Sequence, residues 1–328
     1  MSLPDVIVVG GGLVGMSCAA ALSGRGVAVT LLCERLAGEA SPAAAGLLAP
    51  SVEPAAEGAH AFAIAARDRY PSYVKMLADS TGTRVPLLRD GILEIALDDA
   101  GARSLLERSP HGTWLSRAEL SAEEPALAHA VGAMRYELDG AVDNVALVNA
   151  LRVYVELDPA IAVVPALVMH VHVADKLTVV TTADGVRHEA NRIVLAAGAW
   201  ADRIEGLPRR LPVEPLRGQM IALDGTPVRH PVYGPHGYAV PRPGRETVIG
   251  ATMERVGFDA RTTAEGLSAM ASTAREISPA FHKLGVTRAW AGLRPVTPDL
   301  LPIIGPDPTA PGLLYACGHS RNGILMAP

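Results

Sequence analysis

The hydrophobic pattern of the chain begins with four apolar residues, 6–9, that end at Gly10. An apolar run of this length bounded by glycine is typical of a short buried strand. Gly10, Gly12 and Gly15 follow a GxGxxG spacing, and the small apolar residues after Gly15 predict a helix. Such a turn brings backbone N–H groups and the positive end of a helix to a pyrophosphate. The pattern therefore predicts a dinucleotide site; the alternative is a turn that only closes a βαβ unit.

A second predicted strand, 27–33, ends at Glu34, about 20 residues after the glycines, where dinucleotide-binding units place an acidic residue. A carboxylate here is expected to accept hydrogen bonds from a ribose and to repel a 2′-phosphate. The combination of strand, glycine turn, helix and acidic residue therefore disfavours NADP.

The hydrophobic pattern of the next part of the chain predicts helices and strands in alternation. Residues 60–79 predict a helix, 85–97 a hairpin around an Asp-Gly turn, and 102–130 surface helices. Residues 158–173 are rich in valine and contain two prolines, so they are expected to be extended.

Later segments predict a second kind of sheet. A strand at 192–195 leads into a turn of small residues that is predicted to lie beside the cofactor. Residues 211–256 predict consecutive strands with proline and glycine between them, which favours an antiparallel sheet distinct from the parallel one. Residues 263–284 predict a helix. The alanine-rich segment 38–50 predicts either the start of a helix or a loop that packs against a flat cofactor.

Composition and charge exclude several classes of function. A chain of 328 residues, 49% of them hydrophobic, is long enough for one large or two medium domains. The net charge of -5 gives no support for nucleic-acid binding. No apolar run approaches the ~20 residues of a membrane span, and no secretory signal is recognisable, so we expect a cytoplasmic protein without membrane contact. Cys18, Cys33 and Cys317 lack metal-site spacing, and no metal is expected.

Several motifs carry a resemblance to a known family. They are segments 41–50 (SPAAAGLLAP), 291–299 (AGLRPVTPD) and 318–328 (GHSRNGILMAP), together with Arg242 and the strand before it. On these residues the chain resembles glycine oxidase, a family of flavoenzymes of thiamin biosynthesis within the D-amino acid oxidase superfamily. The resemblance runs from end to end, although residues 100–190 match only in pattern.

The resemblance implies an α/β fold in which a Rossmann-like FAD-binding domain is interleaved with an antiparallel-sheet substrate domain. The FAD-binding domain is expected to comprise residues 1–80, 140–205 and 288–328. The substrate-binding domain is expected to comprise residues 81–139 and 206–287.

The resemblance also implies where FAD binds: the ADP half on the glycine turn and Glu34, and the flavin ring along the alanine-rich loop. Non-covalent FAD is expected, because related sarcosine oxidases use a cysteine near the position of Arg294, where this chain has none. The implied cofactor-binding residues are Gly10, Gly12, Leu13, Val14, Gly15, Glu34, Arg35, Ala40, Ser41, Ala44, Ala45, Gly46, Leu47, Val168, Ala197, Gly198, His319, Ser320, Arg321, Asn322, Gly323, Ile324 and Leu325.

By the same resemblance, Arg294 binds the carboxylate of the substrate and Tyr238 adds a hydroxyl donor. Arg321 is a second arginine near the site, and Met253 lines the substrate pocket. The planar guanidinium of arginine suits a carboxylate, so most of the catalysis would consist of holding the α-carbon over the flavin. A structural salt bridge is the alternative role for Arg294.

The implied reaction is the oxidative deamination of glycine, sarcosine and small D-amino acids to an imine or 2-oxo acid, ammonia and hydrogen peroxide. No catalytic acid or base is expected, and His236 and His319 are interpreted as structural. The implied partners are an amino acid and oxygen, and the resembled family implies a homo-oligomer, namely a tetramer.

Two alternatives stay open. A D-amino acid oxidase or dehydrogenase of wider specificity would share these motifs. The other alternative is a catalytically silent FAD-binding protein, since the resembled family continues into a C-terminal helix beyond the motif that here ends at Pro328. That helix would cover apolar surface of the FAD-binding domain.

Overall fold

The computed structural model describes residues 4–53, 55–108, 112–173, 177–242 and 244–328. Within these ranges the strands are, in chain order, β1 (Val6–Val9), β2 (Val29–Cys33), β3 (Leu47–Leu48), β4 (Leu87–Leu88), β5 (Ile92–Ala96), β6 (Thr113–Ser116), β7 (Gly132–Tyr136), β8 (Gly140–Val142), β9 (Ile161–Pro165), β10 (Val168–Val173), β11 (Thr178–Thr182), β12 (Arg187–Ala190), β13 (Arg192–Leu195), β14 (Glu214–Leu223), β15 (Val232–Gly234), β16 (Gly237–Arg242), β17 (Glu246–Gly250), β18 (Val286–Val296), β19 (Ile303–Asp307) and β20 (Ala310–Cys317).

The α-helices in the same ranges are α1 (Leu13–Ser23), α2 (Ala40–Ala43), α3 (His60–Thr81), α4 (Asp99–Arg108), α5 (Arg117–Glu123), α6 (Asn144–Leu157) and α7 (Ala264–Ile277). Short 3-10 helices cover Glu57–Ala59, Pro125–Leu127, Gly198–Arg203 and Pro279–Lys283. None of the helices just given combines the length and the apolar character that crossing a membrane requires.

A six-stranded sheet in the order β19-β20-β13-β1-β2-β9 forms one half of the molecule. Its pairs are parallel except for β19 with β20. All four residues of Val6–Val9 are buried, as a central strand of a parallel sheet covered on both faces requires. Helices α1, α3 and α6 pack on one face, and the antiparallel sheet β10-β11-β12 packs on the other.

A second sheet of eight strands has the order β18-β14-β17-β16-β15-β5-β7-β6. Its pairs are antiparallel except for β15 with β5. Helix α7 covers part of this sheet, where Met270, Ala274 and Ile277 pack with Ile221 and Ile249. A small sheet has the order β3-β8-β4, and its strand β3 lies within the alanine-rich segment 38–50.

Most of the predicted elements are present in the structure. The helix predicted at 60–79 is α3, the extended segment at 158–173 forms β9 and β10, and α7 with the following 3-10 helix covers 263–284. The strands predicted over 211–256 lie in the eight-stranded sheet and not in the parallel one. The combination of a parallel nucleotide-type sheet and a separate antiparallel sheet is therefore confirmed.

Two local predictions need correction. The hairpin at 85–97 is wrong, because β4 pairs with β8 while β5 pairs with β7 and β15 in a different sheet. Residues 102–130 include β6, an edge strand that pairs with β7, as well as helices. Residues 288–296, whose place in the FAD-binding domain stays a prediction, lie in β18 and pair along β14. In each case the partner strand is remote in sequence, so the local pattern carries no sign of it.

Candidate cofactor and substrate site

A cavity of about 410 Å³ lies between the two large sheets. Residues directly after β1, β2, β9, β13 and β20 line it, and so do residues within β14, β16 and β18. The carboxyl edge of an open parallel sheet is where α/β proteins bind ligands. Of the predicted site residues, the lining includes Gly10, Gly12, Leu13, Val14, Glu34, Ala40, Ser41, Ala44, Ala45, Gly46, Leu47, Val168, Ala197, Gly198, Tyr238, Arg294, His319, Ser320, Arg321, Asn322, Gly323 and Ile324.

The glycine turn is fixed by the close approach of backbone segments. A Cβ at Gly15 would lie 1.9 Å from the carbonyl oxygen of Gly10, and a Cβ at Gly10 would lie 2.3 Å from that of Ala196. The φ of Gly10, 115°, is also one that other residues rarely adopt. The N–H of Leu13, at the start of α1, donates to Ser41 Oγ at 3.0 Å. The N-terminus of α1 thus lies at the cavity, where it favours an anion.

Glu34 and the alanine-rich segment form two further parts of the wall. Glu34 directly follows β2 and lines the cavity, the position of a ribose-binding carboxylate. The alanine-rich segment combines both predicted forms, since Ala40–Ala43 is one helical turn and Ala44 after it is extended. A Cβ at Gly46 would lie 2.0 Å from the carbonyl oxygen of Val142. Small residues therefore let the backbone itself form this side of the cavity.

The segment 318–324 directly follows β20 and also lines the cavity. Ser320 N donates to the carbonyl oxygen of Pro295 at 2.9 Å, and Tyr70 Oη donates to that of Ile324. His319 is 5% exposed, and burial lowers the pKa of its imidazole to about 4. His319 is therefore neutral at pH 7, as a structural histidine would be.

Arg294 lies within β18, and its guanidinium borders the cavity. Its Nη1 donates to the carbonyl oxygen of Thr252 at 3.0 Å. In the part of the chain that the structure describes, no carboxylate forms an ion pair with Arg294. Gly218 on the neighbouring strand leaves room for the guanidinium, since a Cβ there would lie 2.3 Å from Nη1. The structural salt bridge considered as an alternative thus has no acidic partner among the described residues.

Tyr238 lies in β16 beside Arg294. It is buried, and burial raises the pKa of its hydroxyl, while the Arg294 guanidinium acts in the opposite direction. Its ring packs against Tyr233 with 5.6 Å between the ring centroids. Tyr238 is therefore a neutral hydroxyl held in place next to a cation.

Arg321 differs from Arg294 because an acidic side chain neutralises it. Its Nη2 forms an ion pair with Glu53, and both residues line the cavity. The sequence analysis missed Glu53, because this residue belongs to no motif and stands alone in a small-residue segment. Three arginines therefore line the cavity: Arg321 is paired with Glu53, Arg203 stacks on the ring of Phe258, and Arg294 has no acidic partner among the described residues.

Four predicted site residues do not line the cavity, namely Gly15, Arg35, Met253 and Leu325. Gly15 serves the close packing of α1 on β1, and Leu325 is buried in the core under the parallel sheet. The side chain of Met253 is 63% exposed, since it lies beyond the end of β17. Cys317 does line the cavity, and burial raises the pKa of its thiol to about 12, so it is uncharged.

The family of FAD dependent oxidoreductases matches residues 5–328 of this chain. A glycine oxidase of Pseudomonas putida is 34% identical over 343 residues, which cover 99% of this chain and 91% of that protein. The chain belongs to the glycine oxidase family of FAD-dependent oxidoreductases. The crystal structure of glycine oxidase from Geobacillus kaustophilus superposes with a TM-score of 0.92 at 29% identity, covering 100% of this chain and 92% of that one.

A bifunctional protein ThiO/ThiG of Trichormus variabilis is also 34% identical, over 341 residues and 99% of this chain. The chain spans about half the length of such bifunctional relatives, 51% of the Trichormus protein. The cofactor of the family is FAD, and the cavity fits it. The glycine turn borders the cavity at the N-terminus of α1, where a pyrophosphate is favoured, and the lining residues Ala43, Ala44 and Ala45 are small, as a bound ring system requires.

Proposed function

We propose that this protein oxidises glycine and other small amino acids, sarcosine and small D-amino acids among them, with FAD as cofactor. The products would be the imine or 2-oxo acid, ammonia and hydrogen peroxide. The relatives named ThiO/ThiG support a role in forming the thiazole of thiamin. The single observation that carries the proposal is the guanidinium of Arg294 at the wall of the cavity, which has no carboxylate partner among the described residues.

The chemistry of Arg294 favours an amino acid over a simple amine. A guanidinium binds a carboxylate through two parallel hydrogen bonds. The carbonyl oxygen of Thr252 accepts one hydrogen bond from Nη1 of Arg294. The other N–H groups of this guanidinium can donate to a ligand. Tyr238 adds a hydroxyl donor next to it, and its raised pKa keeps the proton on the oxygen. Together the two side chains would fix the carboxylate and so orient the α-carbon.

Positioning would supply most of the catalysis. Bound FAD supplies the chemistry of accepting a hydride from the α-carbon and of passing the electrons to oxygen. The side chains would hold the substrate in one orientation, which avoids the entropy cost of a bimolecular encounter. Glu53 is paired with Arg321, and the pKa of about 4 makes the buried imidazole of His319 a weak base, so neither is assigned as a catalytic base.

Reduction of the flavin in the absence of oxygen tests the proposal. Purified yellow protein is mixed anaerobically with glycine, sarcosine, D-alanine or D-proline, and the flavin absorbance is followed. We expect rapid bleaching with the small substrates and peroxide on readmission of air. Rates that favour D-proline or bulky D-amino acids by orders of magnitude would replace the proposal with a D-amino acid oxidase of wider specificity. A yellow protein that no small amine reduces would be a silent FAD-binding protein.

We also propose the assignments that the family suggests beyond the site. The FAD-binding domain would comprise 1–80, 140–205 and 288–328, with β18 of that last segment shared with the substrate sheet. The substrate domain would comprise 81–139 and 206–287. A homo-oligomer in the cytoplasm would be consistent with the family, and sedimentation of the purified protein tests the first part.

A further inference from the structure

A buried arginine supports the alanine-rich wall of the cavity from behind. Arg242 ends β16 and is 6% exposed. Its Nη2 donates to the carbonyl oxygen of Ala45 and to Asn144 Oδ1, both at 2.8 Å, and its Nη1 donates to the carbonyl oxygen of Val142 at 3.0 Å. Ala45 lines the cavity and Arg242 does not. One layer of backbone therefore separates this guanidinium from the cavity.

Asn144 extends the contact to the start of helix α1. Its Nδ2 donates to the carbonyl oxygens of Ser41 and Pro42, at 2.9 Å and 3.1 Å. The hydroxyl oxygen of Ser41 in turn accepts from Leu13 N. A continuous set of hydrogen bonds thus joins Arg242, in the eight-stranded sheet, to the helix terminus that faces the cofactor site.

The carbonyl groups of this wall are held by donors from other elements. Besides the three already given, the carbonyl oxygen of Ala43 accepts from Trp290 Nε1 at 2.9 Å, and that of Gly46 accepts from Val142 N at 2.8 Å. A buried carbonyl group that loses its donor is costly, so these bonds fix the wall in one conformation. A wall of fixed shape lowers the entropy cost of binding a rigid ring.

Arg242 also brings a buried positive charge to this place; among the described residues no carboxylate lies within ion-pair distance of it, although Asp143 and Glu246 are near enough to act on its charge. Its three acceptors are neutral oxygens, two carbonyl groups and one amide. The neighbouring carboxylate of Asp143 pairs with Arg245 at 3.1 Å instead, and it caps α6. Arginine stays protonated in proteins. A buried positive charge acts strongly on nearby groups, because little solvent screens it.

We infer that Arg242 is a positioning residue for the cofactor. Together with Asn144 it fixes the part of the cavity wall formed by residues 41–46, and its positive charge favours the reduced, more negative form of bound FAD. The inference depends on the FAD site and not on which amino acid is oxidised, so it stands or falls separately from the proposed substrate.

Three variants of the holoprotein test this inference. Arg242→Gln removes the charge, Arg242→Lys keeps the charge but loses the planar fork, and Arg245→Gln is a control that removes a neighbouring charge whose side chain is 60% exposed. The FAD dissociation constant is measured from flavin released on dilution, and the midpoint potential from equilibration with redox dyes. We expect Arg242→Gln to weaken FAD binding at least tenfold and to lower the potential. Arg242→Lys should weaken binding less and keep the potential, and Arg245→Gln should change neither.

A further variant covers the case in which Arg242→Gln does not fold. Asn144→Asp keeps Arg242 and places a carboxylate against its guanidinium, so the potential should fall. An unchanged potential in Asn144→Asp, or unchanged FAD affinity in Arg242→Lys, overturns the inference. A folded Arg242→Gln with the affinity and potential of the unmutated protein overturns it as well, as does an equal shift of the potential in Arg245→Gln.

Discussion

The six-stranded sheet contributes to the cavity through the turns that follow its strands, whereas the eight-stranded sheet contributes side chains from within its strands. Gly10 and Glu34 follow β1 and β2, and segment 318–324 follows β20. Tyr238 and Arg294, in contrast, lie inside β16 and β18. Backbone groups dominate the first half, and two polar side chains distinguish the second. Loss of backbone shape should therefore abolish cofactor binding, while changes in the second half should alter substrate binding with FAD retained.

The largest effect is expected from adding a side chain to the glycine turn. Gly15→Val would place Cβ 1.9 Å from the carbonyl oxygen of Gly10. Because both atoms are fixed by the backbone, no change of side-chain rotamer can relieve this clash. We expect no FAD in the purified protein, measured as flavin absorbance per protein. Gly285→Ala is the matched control, because a Cβ there meets nothing within 4 Å. Full FAD content in Gly15→Val would mean that the turn does not carry the cofactor.

Arg294→Ala should give the next largest effect, with FAD content unchanged. Loss of a charge-assisted bidentate contact is expected to cost about 2–4 kcal/mol in transition-state binding, seen as a lower kcat/KM for glycine. A simple amine without a carboxylate should be oxidised as before, and Arg294→Lys should restore part of the loss for glycine.

Two comparisons decide between a binding and a structural role for Arg294. An equal loss on glycine and on the carboxylate-free amine would make Arg294 structural. Arg321→Ala should affect the carboxylate less, because Glu53 already neutralises Arg321.

His319 should make stability depend on pH. Its pKa is about 4 in the folded state because of burial, against about 6.5 when unfolded. Between these values the unfolded state binds the extra proton, so stability falls as pH decreases through that window, by up to about 3 kcal/mol. Urea unfolding of the holoprotein at pH 7 and pH 4 measures this fall. His319→Gln should reduce it, and an unchanged fall in His319→Gln would assign the pH dependence to other groups.

The smallest effect is expected at Glu34. Glu34→Gln keeps an acceptor for the ribose but loses its charge, so FAD binding should weaken by about 1 kcal/mol, roughly fivefold. Arg35→Ala is a useful comparison, since Arg35 was predicted to bind the cofactor but does not line the cavity. If Arg35→Ala weakens FAD binding more than Glu34→Gln does, the position of the ribose must be revised.

The nucleotide-binding half could be predicted from the sequence because its signals are local. The apolar run before Gly10, the glycine spacing and Glu34 all lie within 6–34. Each of these features meets a requirement of nucleotide binding within one short segment, so no distant part of the chain is needed to recognise it. The family motifs at 41–50, 291–299 and 318–328 added the flavin and substrate residues, and most of these line the cavity. Leu325 and Met253 do not line the cavity, since a position in the sequence does not give the direction of a side chain.

Tertiary structure alone decided which partners these segments have. Pairing of β18 with β14 places Gly218 next to the guanidinium of Arg294. Strands β4 and β5 pair in different sheets and so do not form the hairpin that the local pattern predicted. The ion pair of Glu53 with Arg321, 268 residues apart, distinguishes Arg321 from Arg294, which has no acidic partner among the described residues. Such contacts depend on strand register and on chain segments that meet only after folding, so no local pattern of apolar and polar residues encodes them.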